Sequence, residues 1–249
     1  MLAPAPAAFG QEAPICLKVD EKLDDGVNHW FGTAKADSAT GLRGKDVLNA
    51  GAGDDHINGG RDNDVVKGGP GDDILCGGRG TDKIRGGSGD DIIFGEEEND
   101  TIVPGPGNDR VLGSAGNDRI YGWGKQGGTI VDDGIDILDG GFNDDIVEAG
   151  GADSLYGFTH NDILRTKTPQ IAPAIMDGGG NDDQLFGSEV DDLNMRGGEN
   201  GRDKLFGAGG SDKLFGQAGK YVGKGGKGRD TFKGGPGKDR GSGVEKGRA

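Results

Sequence analysis

The sequence predicts an all-β chain, a parallel solenoid with 18-residue rungs and two thin sheets. Three observations predict it: a nine-residue phrase recurs in one frame, an aliphatic residue holds one fixed position of that phrase, and glycine fills most positions between. Residues 68–95, "GGPGDDILCGGRGTDKIRGGSGDDIIFG", carry the phrase three times. Repetition at a fixed short period is the signature of a solenoid, in which each unit buries its apolar face only against its neighbours.

Composition alone points elsewhere. With 31% hydrophobic residues, 6% aromatic residues, 55 glycines in 249 positions and a net charge of −15, the chain lies where ordering entropy commonly outweighs burial. A disordered segment, however, keeps a composition without any reason to keep phase. From Gly41 to Glu148 the frame holds through twelve nonapeptides. Numbered 1 to 9 within each unit, position 6 is Asp46, Asp55, Asp64, Asp73, Asp82, Asp91, Asp100, Asp109, Asp118, Gly127, Asp136 and Asp145. Position 8 is Leu48, Ile57, Val66, Leu75, Ile84, Ile93, Ile102, Val111, Ile120, Thr129, Leu138 and Val147. Both exceptions, Gly127 and Thr129, fall in one degenerate unit, "GWGKQGGTI".

After Glu148 the frame slips but the phrase returns around Asp153, Asp162, Asp183, Asp192, Asp203 and Asp212, and once more around Asp230 in "GGKGRDTFK". The chain therefore divides into a leader remnant and cap over 1–40, a first block of rungs over 41–165, and an inserted loop over 166–176. A second block over 177–218 and a degenerate, basic, glycine-rich tail over 219–249 follow. The loop, "TKTPQIAPAIM", has two prolines and no glycine.

Position 8 is the one regularly apolar site, with neighbours that point the other way, as the two-residue period of a strand requires. Strands of about three residues joined by six-residue turns follow, with glycines at positions 1, 2 and 4 supplying the backbone freedom of a tight turn. Two strand-turn units complete a rung, and rungs stack at the β spacing of roughly 4.8 Å.

This geometry sets the task of the aspartates. Residues 18 apart stack, which is expected to place Asp46, Asp64, Asp82, Asp100, Asp118 and Asp136 along one edge and Asp55, Asp73, Asp91 and Asp109 along the other. Like charges at about 5 Å repel by close to 1 kcal/mol even in water, and by several times that in a protein. A core one side chain wide cannot absorb such a ladder, so a positive charge must lie between rungs. The local donors are carboxylate and carbonyl oxygens without a His/Cys cluster, a set that suits a hard cation, Ca²⁺ better than the strictly octahedral Mg²⁺.

The units "GGPGDDILC", "GGRGTDKIR" and "GGSGDDIIF" resemble the hemolysin-type, or RTX, calcium repeat, of consensus G-G-x-G-x-D-x-U-x. The resemblance covers nearly all of residues 41–215 and implies a right-handed parallel β-roll that holds several Ca²⁺ ions in the turns between rungs. It implies position-6 aspartates as ligands, those named above together with Asp153, Asp162, Asp183, Asp192, Asp203, Asp212 and Asp230. It also implies carbonyl donors at position 4, namely Gly53, Gly71, Gly80 and Gly89. It does not extend to Gly127 or Tyr221, where the aspartate is missing, and ion sites there are expected to be weak or absent.

Other classes find little support. The acidic balance argues against nucleic acid and anionic lipid as partners, and no apolar run is long enough to span a membrane. Neither H-E-x-x-H, G-x-S-x-G nor a phosphate-binding G-x-x-x-x-G-K-[ST] occurs. His29, His56 and His160 are scattered, and His56 sits at an outward position as a solvated surface residue. Cys16 and Cys76 either close a disulfide that ties a cap to the roll or remain free thiols. "CLKVDEKLDDGVNHWFGTA", with Trp30 and Phe31, is expected to cover the first rung. The Ala/Pro-rich start, "MLAPAPAAFGQEAP", resembles the end of a secretory leader. The reading is thus a secreted calcium-binding protein, not an enzyme, that folds with its ions. The rivals are an adhesion or matrix protein with a cell-surface polysaccharide or protein partner, and the C-terminal part of a larger secreted hydrolase.

Overall fold

The computed structural model describes Cys16 and residues 21–122, 124–126, 129–131, 134–150, 153–166, 174–192, 194–237 and 239–242. Two parallel sheets of 12 strands each face one another. The first sheet runs through Glu21–Lys22, Ser38–Thr40, His56–Arg61, Ile74–Arg79, Ile92–Glu97, Arg110–Ala115, Ile137–Phe142, Ser154–Phe158, Ile175–Asp177, Asn194–Arg196, Lys213–Phe215 and Thr231–Lys233. The second runs through His29–Phe31, Val47–Asn49, Val65–Pro70, Lys83–Ser88, Thr101–Val103, Arg119–Tyr121, Ile146–Ala149, Ile163–Thr166, Gln184–Phe186, Lys204–Gly209, Val222–Lys227 and Arg240–Ser242. Successive half-rungs alternate between the sheets, which is the β-roll architecture the nonapeptide period predicts. Among the described residues no helix is long and apolar enough to cross a membrane.

The register shows how the frame becomes a rung. In the regular stretch partners lie 18 apart, as in Ile57↔Leu75 and Val66↔Ile84. Several strands run to six residues instead of three, because pairing continues through the glycines, as in Gly60↔Gly78 and Arg61↔Arg79. The core is one file of side chains per sheet: Ala39, Ile57, Leu75, Ile93, Val111, Leu138, Leu155, Met176, Met195 and Leu214 from the first sheet. Leu48, Val66, Ile84, Ile102, Ile120, Val147, Leu164, Leu185 and Leu205 face them from the second. Burying each such side chain contributes about 1.5–3 kcal/mol, and there are only two files to share the load.

Glycine is required where rungs approach most closely. Gly69 and Gly71, at positions 2 and 4, have φ of 131° and 139°, and a methyl on either would overlap the carbonyl oxygen of Gly51 or Gly53 below. The unit "GEEENDTIV" places glutamates at the same two positions, and Glu96 and Glu98 accept φ of 82° and 78° to keep the turn.

Several expectations need correction. The degenerate unit at Gly127 does not form a half-rung: Gly124–Gln126 and Thr129–Val131 pair antiparallel as a separate two-stranded sheet. Without an aspartate at position 6 or an aliphatic at position 8, that unit offers the roll neither of its anchoring groups. Pairing therefore skips 27 residues, Val111↔Leu138 and Ile120↔Val147, and the alternation of edges reverses beyond it.

The rungs also extend past both expected bounds. Among the described residues strands begin at Glu21, well before Gly41, and continue through Arg240–Ser242 in the stretch read as a degenerate tail. Trp30 packs on the core beside Leu48 as an ordinary position-8 residue, whereas Phe31 is 69% exposed and covers nothing. Thr166 and Ile175–Met176, placed in the inserted loop by sequence, are strand residues, and residues 167–173 lie outside the described ones.

Finally, Cys76 is buried, not solvent-facing, because Cys16 lies over it in a disulfide, packed with Phe94 on the outer face of the first sheet. Asn58 Nδ2 donates to the Cys16 carbonyl at 2.6 Å and fixes the crossing. His56 is half-buried in its outer row between Ser38 and Ile74.

Candidate metal centre

Each position-6 aspartate ends a turn and enters a strand, and its side chain folds back beneath the turn. The 18 aspartates named from the sequence are all buried, at 0–2% exposure. They form two columns of nine. Asp46, Asp64, Asp82, Asp100, Asp118, Asp145, Asp162, Asp183 and Asp203 precede strands of the second sheet, and Asp55, Asp73, Asp91, Asp109, Asp136, Asp153, Asp192, Asp212 and Asp230 belong to the first. Asp136 thus stands opposite the edge that uninterrupted alternation assigned to it. The looped-out nonapeptide causes the exchange.

Within a column the aspartates form a directional ladder. Asp46 donates its backbone N–H to Asp64 Oδ1 at 2.7 Å, Asp64 to Asp82 at 2.7 Å, and Asp73 to Asp91 at 2.9 Å. The ladder crosses the excursion, from Asp109 to Asp136 and from Asp118 to Asp145, and resumes through Asp162 to Asp183, Asp183 to Asp203 and Asp212 to Asp230. One carboxylate oxygen is therefore satisfied by the rung before it.

The other oxygen is not. In Asp55, Asp64, Asp73, Asp82, Asp91, Asp100, Asp118, Asp145, Asp162, Asp183, Asp212 and Asp230, Oδ2 is buried and no donor among the described residues reaches it. A carbonyl of the following rung shares its surroundings: a methyl on Gly59 would stand 2.5 Å from the Gly77 carbonyl oxygen and 2.7 Å from Asp64 Oδ2. Two oxygens, one charged, converge where no hydrogen is available.

The same burial raises the carboxyl pKa values. Desolvation is the largest cause, like-charged neighbours in the column add to it, and the accepted N–H opposes it. Asp73, Asp82 and Asp118 rise to about 6, Asp64, Asp203 and Asp212 to about 7, Asp91, Asp100, Asp145 and Asp183 to about 8, and Asp162 to about 9. Protons and metal ions are alternative ways of neutralising these columns.

The position-4 glycines named from sequence sit beside the columns. Gly53, Gly71, Gly80 and Gly89 have φ of 115°, 139°, 136° and 127°. The Gly53 carbonyl faces Gly71, that of Gly71 faces Gly89, and the Asp62 carbonyl faces Gly80, so carbonyl oxygens run in a row from rung to rung. A methyl on Gly201 would stand 3.1 Å from Asp203 Oδ1, which places this row on the Oδ1 side of the column.

Sequence reasoning missed three members and a second ladder. Asn28, Asp37 and Asp239 occupy position 6 in the outermost rungs, with Asn28 donating to Asp46 Oδ1 at 2.6 Å, Asp37 to Asp55 Oδ1 at 2.8 Å, and Tyr221 to Asp239 Oδ1 at 3.3 Å. The signal was there in "NHW" and "DSA", nine residues apart, without the glycines that make the frame conspicuous. Position 5 carries an exposed ladder of opposite sense, in which Asp72 donates to Asp54 Oδ1, Asp90 to Asp72 Oδ1 and Asn108 to Asp90 Oδ1. Two irregularities interrupt position 6 itself: Ala174, buried, takes the place before Ile175, and Met195 reaches the core three residues after Asp192 instead of two.

The columns thus present buried oxygen ligands with net negative charge and no thiolate, since Cys16 and Cys76 are joined to each other. That donor set fits a hard cation of the calcium kind. No curated protein matches the chain. The family model for the RTX calcium-binding nonapeptide repeat matches residues 31–66, 67–102, 103–124, 149–166, 198–220 and 223–243. With the repeat matched over most of the chain and folded as a β-roll, the protein belongs to the RTX calcium-binding nonapeptide repeat family.

Proposed function

We propose that the chain binds several Ca²⁺ ions along both aspartate columns and that its folding is coupled to them outside the cell. The observation that carries this reading is the row of buried Oδ2 atoms named above that no donor among the described residues satisfies. Leaving a buried charge without a partner costs several kcal/mol, so a column of them opposes folding until a cation enters. The aspartates of both columns would hold the ions, with turn carbonyls at positions 1 and 4, Gly53, Gly71, Gly80 and Gly89 among them, completing the oxygen set.

Calcium that binds only the folded roll stabilises it by mass action, and extracellular calcium modules commonly bind at about 10⁻⁴ to 10⁻³ M. A chain of this design remains open at cytosolic calcium levels and closes outside. The Cys16–Cys76 disulfide fits an oxidising compartment. The roll is a structural, ion-binding element, and we assign it no catalytic residue.

Calorimetric titration of the purified chain with CaCl₂, and separately with MgCl₂, tests this. Several calcium ions bound per chain, with magnesium unable to replace them at equal concentration, is the expected result. No calcium binding at millimolar concentration overturns it.

A further inference from the structure

Between Asp46 and Asp239, position 6 of the second sheet's column changes chemistry once, at Tyr221. The residue keeps its place in the backbone pattern: its N–H donates to Asp239 Oδ1, and Val222–Lys227 pairs with Lys204–Gly209 on one side and Arg240–Ser242 on the other. Its side chain is 1% exposed. The phenol oxygen lies 2.9 Å from both the Gly198 and the Ala218 carbonyl oxygens, to which its one hydrogen can be shared.

The ring stands in the oxygen cradle. Beside Asp64 Oδ2 the methyl position on Gly59 meets the carbonyl oxygen of the following rung at 2.5 Å, whereas beside Asp203 Oδ2 the same position on Gly197 meets Tyr221 Cε1 at 2.5 Å, with Oδ2 at 2.6 Å. In Tyr221's own turn a methyl on Gly216 would meet both the Gly234 carbonyl oxygen and the Tyr221 ring, so the ring stands where a position-6 carboxylate otherwise stands while the carbonyl of the next rung remains. The ring edge carries the positive end of the ring quadrupole, so it faces the Asp203 carboxylate favourably, while the hydroxyl supplies the donor that the turn carbonyls need.

We propose that Tyr221 replaces the metal ion in its turn. Its ring fills the space, its edge and hydroxyl offset the surrounding oxygens, and the second column of ions stops short of the last rungs. Phe232 extends the same solution next door: position 8 falls on Gly223, and a methyl there would stand 2.6 Å from Phe232 Cε2, so the ring fills the missing side chain's place. The rungs around Tyr221 are thereby held by an aromatic pair where the regular rungs use carboxylate, ion and aliphatic. This inference rests on the reading of the columns as calcium sites.

The test compares calcium stoichiometry in the full-length chain and two variants. Tyr221→Asp is expected to bind at least one more Ca²⁺ than the wild type. Tyr221→Phe is expected to bind the same number as the wild type and to melt at lower temperature both in calcium and in EDTA at pH 4.5, where the columns are protonated, since the turn carbonyls lose their donor in either state. A wild type that binds no calcium overturns the calcium reading itself. A wild type that binds calcium with no gain in Tyr221→Asp overturns the replacement alone. Should Tyr221→Asp not fold, Tyr221→Phe decides, and an unchanged melting temperature overturns the role of the hydroxyl.

Discussion

The rungs between Val47 and Tyr121 and those between Lys204 and Ser242 share one backbone plan and fill it differently. In the first region every turn buries a carboxylate with one oxygen satisfied by its neighbour, and every core position is aliphatic. In the second, Tyr221 takes a carboxylate's place, Phe232 takes an aliphatic's, and Gly223 leaves a gap that Phe232 covers. On the proposed reading, the difference teaches that each turn meets its inward oxygens in one of two ways. A cation or an aromatic edge with a hydroxyl can do so.

Protonation should break the contrast most strongly. Asp64, Asp73, Asp82, Asp91, Asp100 and Asp118 have folded-state pKa values raised to about 6–8 by burial, above the unfolded value of about 3.9. In EDTA their contribution is therefore fully favourable only below about pH 4 and is lost as pH rises through 6 to 8. Hydrogen exchange in EDTA should show the regular rungs better protected at pH 4.5 than at pH 7.5, with a smaller change around Tyr221.

Glycine substitution comes next. Gly87 has φ of 142°, and a side chain there would overlap the Gly69 carbonyl oxygen. For Gly87→Val the backbone strain costs about 1–3 kcal/mol and the overlap about as much again, read as a lower denaturant midpoint in calcium. Cys16→Ser removes a cross-link between residues 60 apart, worth up to about 4 kcal/mol on a chain-entropy account. Its loss should loosen the N-terminal crossing over Phe94, read as faster proteolysis near Cys16, and leave the Tyr221 region unaltered.

Asp82→Asn sharpens the comparison by its sign. The amide can still accept the Asp64 N–H through Oδ1 but carries no charge, so it should lower the melting temperature in calcium and raise the folded fraction in EDTA at pH 7.5, each by about 1–3 kcal/mol in stability. The smallest effect belongs to Gly180→Ala. Its methyl would meet nothing nearer than 3.8 Å, so the change should be neutral or stabilising by about 0.4–1 kcal/mol.

Much of this was legible in the sequence because the repeat imposes it twice, once as a carboxylate and once as an aliphatic two residues later. The files from Leu48 to Val147 and the burial of the 18 position-6 aspartates named from sequence follow from that phase. Other features leave no periodic trace. The excursion at Gly127 could be read as a defective unit, but not as one removed from the stack, since strand pairing across 27 residues is decided by what the neighbours bury. The first rungs escaped notice because Asn28 and Asp37 lack the glycine spacing. The ladders of opposite sense at positions 5 and 6 depend on side-chain direction, which a residue type does not encode. Tyr221 read as a missing ligand, and only the placement of its ring shows that it fills the cradle.

The central claim is that the aspartate columns keep the roll from closing until cations neutralise them. Far-UV circular dichroism at pH 7.5, begun in EDTA and titrated with CaCl₂, tests it most directly. The account predicts a largely unordered spectrum in EDTA and a steep, reversible gain of β signal near 10⁻⁴ to 10⁻³ M calcium, roughly the range of extracellular modules. A full β spectrum already present in EDTA at that pH would contradict it.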